Sequence, residues 1–423
     1  MLKEFGDKRE FPRPFWVLMT ASLIDHIGAF MLLPFFALYI TQRFGIGMTQ
    51  MGQIFLVFAL AGTAGGILGG AIADKFGRRR IILFGIVASA LISLLMGFAN
   101  SVVYFFLLAP IVGLLQDIGG PAQSALVADV LPKHRHVEGF SIWRVTVNVS
   151  AVIGPILGGF LADYNFLYLF LGDAILSIIT AIIVYFILPE TKPQPKEGEA
   201  EQSMLQTFSG YRHVLRDKLY VSFLLISMLG VLIYSQVATS MPVYLRDIQG
   251  IPPRGYGYLI SLNAVMVVGM QFWITRRMKG YAPLLLVALG TLFYAVGFGM
   301  YGFGGGLLYY AVGMAVLTIG EMIIAPTGQA LAARFAPEDM RGRYMALFGF
   351  SWALPFAFGP LMAGYVMDNY NPNWVWYACG VLGGVCILGY LILHARAGSR
   401  LGLMGEDSPV IAAPAGAPTS PSL

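Results

Sequence analysis

Charged residues are scarce in this chain. Asp, Glu, Lys and Arg make up 12% of its 423 residues, against roughly a quarter in ordinary soluble domains. Because 57% of the residues are hydrophobic, the composition excludes a soluble globular protein and indicates an integral membrane protein. The only two cysteines, Cys379 and Cys386, lie on one face of a single apolar helix and cannot bridge each other. They carry no information about the redox compartment.

The chain also lacks the sequence patterns of common enzyme classes. It contains no GxxxxGK[ST] phosphate-binding loop, no metal-binding cluster and no paired nucleophile and base. We therefore expect no enzyme activity, no metal site and no organic cofactor. The formal net charge is +5, but the cations are distributed among separate loops, so a nucleic-acid partner is not expected.

Apolar runs of membrane-spanning length occur twelve times. They cover about 14–40, 48–73, 80–99, 102–130, 137–162, 166–188, 219–245, 256–275, 282–303, 307–333, 340–366 and 373–395. Of the 27 Lys and Arg residues, 23 fall on the side of the two termini, three on the opposite side, and Arg144 lies inside a span. By the positive-inside rule, we expect a multi-pass protein of the cell (inner or plasma) membrane with both termini cytoplasmic.

The soluble segments divide the chain into two halves. Residues 1–13 form a cytoplasmic N-terminus, and the segment 189–218 begins as a polar, proline-rich linker, PETKPQPKEGEAEQS. The linker continues as MLQTFSGYRHVLRDKLY, whose spacing predicts an amphipathic helix lying on the membrane surface. Residues 396–423 are expected to form a disordered tail. The spans then group as six in 14–188 and six in 219–395.

An internal repeat supports this division. Residues 121–163 align with 326–368 without a gap, at a constant offset of 205. The identical positions include both Gly-Pro pairs, Gly154-Pro155 and Gly359-Pro360, and the acids Asp163 and Asp368. Helices 4 and 5 are therefore equivalent to helices 10 and 11, as in transporters built from parallel repeats.

The loop between helices 2 and 3 carries the most specific motif, GGAIADKFGRRR. Its spacing, G-x-x-x-D-[RK]-x-G-[RK]-[RK], is formed by Gly70, Asp74, Lys75, Gly77, Arg78 and Arg79. It resembles the loop signature of the major facilitator superfamily. The resemblance implies an all-α membrane protein with twelve transmembrane helices in two six-helix bundles related by pseudo-two-fold symmetry. It also implies a cytoplasmic gate in which Asp74 meets the N-terminus of helix 11 near Met340 and Arg341, and Arg78 meets Asp129.

Helix 5 has a face of small residues around a proline. That face consists of Ser141, Ser150, Gly154, Pro155, Gly158 and Gly159, which allow the helix to bend and to pack closely against a neighbour. The spacing resembles the helix-5 signature of drug/proton antiporters, with serine at two positions where that signature has glycine.

Polar residues near the middle of four other helices are candidates for proton and substrate binding, because charge inside a membrane is costly. They are Asp25 and His26 on helix 1, Gln116 and Asp117 on helix 4, Tyr234 and Gln236 on helix 7, and Glu321 on helix 10. In the superfamily, these four helices line the central cavity. The arginine that the antiporter families carry on helix 4 is absent, because Gly113 takes its place. Arg144 is the one intramembrane cation, and we expect it to compensate Asp25 or Asp117.

The segment around Glu321 resembles multidrug/proton antiporters, in which an acidic residue on helix 10 is associated with protonation and with cationic substrates. The resemblance implies a monomeric antiporter that exports small amphipathic or cationic compounds against protons by alternating access, in the lipid bilayer and without ATP. Asp25, Asp117 and Glu321 would repel one another if all three were ionised in one apolar cavity. At least one of them, with Glu321 the first choice, is therefore expected to hold a proton. Symport of a metabolite and movement of a lipid between leaflets are alternatives with the same fold. A non-transporting receptor or scaffold is a third.

Overall fold

The computed structural model describes residues 11–132, 135–190, 212–337 and 340–397. Side chains are not described for short stretches within the second, fourth, fifth and eleventh helices. Within these ranges the chain forms twelve transmembrane helices, labelled α1 to α12. They are Arg13–Phe44, Met48–Phe76, Arg78–Gly97, Val102–Val130, His136–Tyr164, Leu167–Ile187, Lys218–Asp247, Pro253–Arg277, Pro283–Tyr301, Leu307–Phe335, Arg341–Asn369 and Asn373–Ala397.

The predicted spans are confirmed. Ten of the helices are long and apolar enough to cross a membrane, and α2 and α4, each of 29 residues, complete the set. Most observed ends lie within three residues of the expected ones, and α1 continues four residues further. The larger part of the predicted linker and nearly all of the tail lie outside the described residues. Of the amphipathic helix, residues 212–216 are helical, and Val214 is buried against the second bundle.

The helices pack as two bundles, α1–α6 and α7–α12. In the first bundle, α2 packs on α4, and α1 packs on α5 and α6. The second repeats this pattern, with α8 on α10 and α7 on α11 and α12. Two antiparallel pairs join the bundles: α2 with α11, and α5 with α8. The even number of crossings places both ends of the described chain on one side, here called the terminal face, and the opposite side is the distal face.

The leading helix of each bundle is broken near its distal end, although both were predicted as continuous. In α1 the break is a 3-10 turn, Leu33–Phe35, that contains Pro34. In α7 it covers residues 236–239, just before Pro242. Proline lacks a backbone N–H and removes one hydrogen bond of the helix. Side chains satisfy carbonyls at the α7 break: the Tyr256 hydroxyl donates to Val237 O at 3.0 Å, and Thr239 Oγ1 donates to Ser235 O at 2.9 Å.

Candidate functional site

Glu321 lies at the centre of a hydrogen-bonded network in the second bundle. Its Oε1 accepts a hydrogen bond from the Tyr234 hydroxyl of α7 at 3.0 Å. Its Oε2 accepts one from Asn263 Nδ2 of α8 at 2.7 Å. The Asn263 amide also donates to Thr318 Oγ1 at 2.9 Å, one turn before Glu321. The carboxyl of α10 is therefore held by two other helices, α7 and α8.

Aromatic rings surround this network. The ring of Tyr234 stacks on Tyr294 of α9 with centroids 5.8 Å apart, and it meets Trp352 of α11 edge-on at 6.2 Å. Such walls keep water away from the carboxyl and strengthen its hydrogen bonds. Asn263 was not among the predicted site residues. Its signal in the sequence is an amide in the middle of an apolar span, which is costly to bury without a partner.

A separate cavity of ≈ 390 Å³ lies in the first bundle, among α1, α2, α3, α4 and α6. Asp25 and His26 line it, together with Asp173 of α6. His26 Nδ1 donates to Ser22 O at 2.7 Å, a bond within its own helix. Ser22 Oγ in turn accepts from Trp143 Nε1 of α5 at 3.0 Å. One ring nitrogen of His26 is therefore engaged by its own helix. Asp25, in contrast, has no hydrogen bond or ion pair to any described residue.

Two predicted site residues have other surroundings than expected. Gln236 is buried within the α7 break, where Nε2 donates to Leu232 O at 3.0 Å and Oε1 accepts from Ser240 Oγ at 2.7 Å. Its amide stabilises the break and is not free for substrate. Arg144 is exposed and makes no ion pair with Asp25 or with any other described acid, so it does not compensate Asp25 in this structure. Its pairing with Asp117, the other alternative, stays a prediction. The side chains of Gln116 and Asp117 lie outside the described residues.

The loop between α2 and α3 has the expected tight geometry. Gly77 adopts φ +98, a conformation that favours glycine, and the chain reverses there. Arg78 forms an ion pair with Asp129 of α4, as the family resemblance implies. Arg79 donates to Tyr185 O of α6. The surroundings of Gly70 and the side chain of Asp74 lie outside the described part of the structure, so the contact of Asp74 with helix 11 remains a prediction.

Replacing Asp129 tests whether this ion pair serves transport. The Arg78 and Asp129 side chains are 13% and 32% exposed, so the pair is partly shielded from water and Asp129→Asn removes a real attraction. We expect lower transport with an unchanged amount of folded protein in the membrane, measured as initial flux per molecule. Glu138→Gln is the matched control, because its pair with Arg135 spans only one helical turn at the surface. Equal flux in both variants would contradict a gating role.

The small face of α5 contacts two different helices. Ser150 Oγ donates to Leu23 O of α1 at 3.0 Å. A Cβ on Gly154 or Gly158 would stand 2.7 Å from Phe30 Cβ or 2.4 Å from Met31 O, both on α1. A Cβ on Gly159 would instead lie 2.9 Å from Arg254 Cα of α8, in the other bundle. The face around Pro155 thus packs within its own bundle and also across the interface, while Ser141, nearer the terminal face, is exposed.

Two acids at equivalent repeat positions bind helix N-termini across the interface. Asp368 of α11 accepts from Met48 N and Thr49 N of α2, at 2.8 and 2.7 Å. Asp163 of α5 accepts from Arg254 N of α8 at 3.3 Å and pairs with Arg254 Nε at 3.3 Å. We call these two carboxylates the interbundle caps. The repeat alignment identified both acids, but it could not indicate that they bind the opposite bundle.

The distal side of the interface is therefore closed. Besides the interbundle caps, Arg246 of α7 donates to Leu38 O of α1 at 2.7 Å and to Thr41 Oγ1 at 3.0 Å. Phe35 meets Tyr256 edge-on at 5.6 Å. The interbundle hydrogen bonds that described residues make with one another all lie on the distal side or at mid-depth, none near the terminal face.

Gly159 offers a steric test of this interface. In Gly159→Leu, the added side chain would collide with the backbone of α8, and overpacking of this kind typically costs ~1–3 kcal/mol. We expect the bundles to separate distally and substrate accumulation to fall. Gly384→Leu on α12 is the control, since a Cβ there meets nothing within 4 Å. If Gly159→Leu concentrates substrate at the normal rate, the close packing is not needed for exchange.

Comparison with known proteins agrees with this architecture. The profile of the Major Facilitator Superfamily matches residues 18–355 and 281–417. A POT family transporter, solved in complex with 5-aminolevulinic acid, has the same fold, with a TM-score of 0.76 and 18% identity over 94% of this chain and 98% of its own. This chain belongs to the Major Facilitator Superfamily.

Two relatives are similar over nearly their whole length. A Na(+), Li(+), K(+)/H(+) antiporter of Planococcus maritimus is 26% identical over 412 residues, covering 90% of this chain and 95% of its own. The multidrug resistance protein MdtH of Shigella flexneri is 25% identical over 394 residues, covering 91% and 96%. The chain is therefore a multi-pass transporter of a small-molecule substrate.

Proposed function

We propose that this transporter is a proton-coupled antiporter that exports small amphipathic or cationic compounds, with Glu321 as the coupling carboxyl. The observation that carries the proposal is the attachment of Glu321 to α7 and α8 through Tyr234 and Asn263. The names of the relatives, an antiporter that exchanges cations for protons and a multidrug resistance protein, support the same reading.

Protonation of Glu321 changes this network because of hydrogen-bond directionality. The ionised carboxylate accepts from both partners, since it has no hydrogen to donate. The Asn263 amide nitrogen can only donate, so a proton on the carboxyl is best placed on Oε1, towards Tyr234. The Tyr234 hydroxyl must then accept, and its own hydrogen must turn elsewhere. Tyr234 lies two residues before the α7 break, so the protonation state acts directly on a helix that contacts the other bundle.

The orientation that we propose places the terminal face in the cytoplasm. Basic residues cluster on that face in the loops around residues 75–80, 276–279 and 334–343. Under the positive-inside rule, this asymmetry sets the orientation of the whole chain. The distal side then faces the exterior, and the closed interbundle caps correspond to a state that does not admit protons from outside.

Flux in proteoliposomes tests the direction of coupling. Purified protein is reconstituted into vesicles with an acidic lumen, and uptake of the cationic dye ethidium is followed by fluorescence. An antiporter releases lumenal protons and accumulates dye, whereas a symporter accumulates it only when the lumen is alkaline. Protein-free vesicles and vesicles treated with a proton ionophore are the controls. Accumulation under the alkaline gradient, or none under either, would refute the proposal.

A further inference from the structure

The cavity of the first bundle contains a pair of carboxylates that the Glu321 network does not involve. Asp25 and Asp173 both line it, and Asp173 lies against Gly28, three residues after Asp25 on α1. Among the described residues, the remaining polar lining consists of oxygen-bearing side chains and His26. The oxygen donors are the hydroxyls of Ser89, Ser93 and Ser177 and the amide of Gln123.

The side chain of Asp173 is held in one position by its surroundings. It is 5% exposed, and its Oδ2 accepts a hydrogen bond from Ser93 Oγ of α3. Its Oδ1 stands against Gly28 of α1, where an added Cβ would lie 2.6 Å from that oxygen. Gly28 follows Asp25 by three residues, so it lies on the same face of α1, nearly one turn along. The missing side chain at Gly28 therefore lets the Asp173 carboxylate approach the turn that carries Asp25.

The described part of the protein offers no permanent cation to this pair. No Lys or Arg lines the cavity, and Asp25 has no hydrogen bond or ion pair to any described residue. His26 Nδ1 donates to Ser22 O of its own helix, and a positive charge on its ring would itself require a proton from solution. Arg144 is exposed and forms no ion pair with a described acid. Carboxylates enclosed in a largely apolar bundle are costly unless a cation or protons neutralise them. Since the described residues supply no permanent cation, a cation or protons from solution would neutralise the pair.

We propose that this cavity binds a small alkali metal cation, Na⁺ or Li⁺, between Asp25 and Asp173. Carboxylate, hydroxyl and amide oxygens are the donors that hard cations prefer. Among the described residues, no three His, Cys, Asp or Glu side chains converge, which disfavours a transition-metal site. The volume of ≈ 390 Å³ allows the ion to keep several water molecules. This site is distinct from Glu321 and goes beyond the proposed function.

Ligand-dependent thermal stability tests this assignment, because an ion that binds only the folded state raises the unfolding temperature with its concentration. Purified protein in detergent is heated in NaCl, LiCl or choline chloride at equal ionic strength and pH. The readout is the difference between the alkali salt and choline within each variant, so a change in baseline stability does not affect it. The wild type should unfold at a higher temperature in NaCl or LiCl than in choline chloride.

Four variants locate the effect. Asp25→Asn and Asp173→Asn should each abolish the alkali-specific shift, while Glu321→Gln should retain it. Gly28→Ala keeps both carboxylates but displaces Asp173 by its added methyl, so it should reduce the shift even if an Asp173 variant fails to fold. No difference between salts in the wild type would overturn the proposal, as would a shift lost only in Glu321→Gln. A shift with tetraphenylphosphonium but none with Na⁺ or Li⁺ would also overturn it.

The assay involves no gradient and no substrate. If the thermal assay shows no alkali-specific shift, proton-coupled export through Glu321 is not contradicted. If the flux experiment shows no proton-driven accumulation, the cation site is not contradicted.

Discussion

Glu321→Gln should bind substrate but no longer accumulate it under a pH gradient. The glutamine resembles the protonated carboxyl permanently: it can donate to Tyr234, but it can neither release nor take up a proton. For one-for-one exchange, each pH unit supplies ~1.4 kcal/mol, or about tenfold accumulation. We therefore expect a wild-type ratio of about ten per pH unit and a ratio near one in Glu321→Gln, measured as steady-state dye uptake in proteoliposomes.

Downhill exchange in the same vesicles is the internal control for this variant. Labelled substrate exchanging with unlabelled substrate needs no net proton movement, so Glu321→Gln should retain part of it. Tyr234→Phe removes only the hydroxyl that contacts Oε1, and we expect an intermediate loss of accumulation. If Glu321→Gln accumulates substrate normally, the coupling carboxyl lies elsewhere, and Asp25 becomes the leading candidate.

Asp368→Asn should shift the protein towards a state that is open on the distal side. The carboxylate accepts two backbone N–H groups at the first turn of α2, where a negative charge stabilises the contact by ~0.3–1 kcal/mol when exposed and up to ~2 when partly buried. The amide keeps one oxygen acceptor but loses the charge. A loss of ~1–2 kcal/mol changes the ratio of closed to open molecules by about 5–30-fold.

Spin labels at Phe98 and Phe303 can measure this shift. Both side chains are exposed, at 68% and 76%, at the distal ends of different bundles, so their separation reports distal opening. The population of long distances should rise in Asp368→Asn. Asp217→Asn is the matched control, because Asp217 also accepts a hydrogen bond from a helix N-terminus, Tyr220 N at 3.3 Å, but within one bundle. An unchanged distance distribution in Asp368→Asn would show that the interbundle caps do not hold the distal side closed.

Several features of the site could be found from sequence, because they depend on local chemistry. The turn at Gly77 follows from the glycine in the loop motif, while the pairing of Arg78 with Asp129 was implied by the resemblance to the family. Glu321 stood out because a carboxyl is rare in the middle of an apolar helix. Gln236 shows the limit of this reasoning, since a mid-span amide can serve either a ligand or its own backbone. Pro242 was the available signal for the break that Gln236 stabilises.

The pairing of Arg144 with Asp25, one of the two expected alternatives, does not occur for a related reason. A helix position gives the depth of a side chain in the membrane, but the direction it faces depends on how the whole helix is rotated in the bundle. Asp25 and Arg144 lie on helices that pack together, yet their side chains do not meet in this structure. Instead, the Asp173 carboxylate packs against the turn of α1 that carries Asp25, because Gly28 has no side chain in that place.

The sequence by itself determined the twelve spans, their division into two related bundles, and the family. The spans and the two bundles follow from the length of the apolar runs, the distribution of Lys and Arg, and the repeat at an offset of 205. The family followed from the resemblance of the loop motif at Gly70 to Arg79. Only the tertiary structure decided that Tyr234 and Asn263 hold Glu321, and that Asp163 and Asp368 bind the opposite bundle. Lipid is as apolar as the helix surfaces, so burial does not select partners in a membrane. Close approach at small residues and a few polar contacts select them.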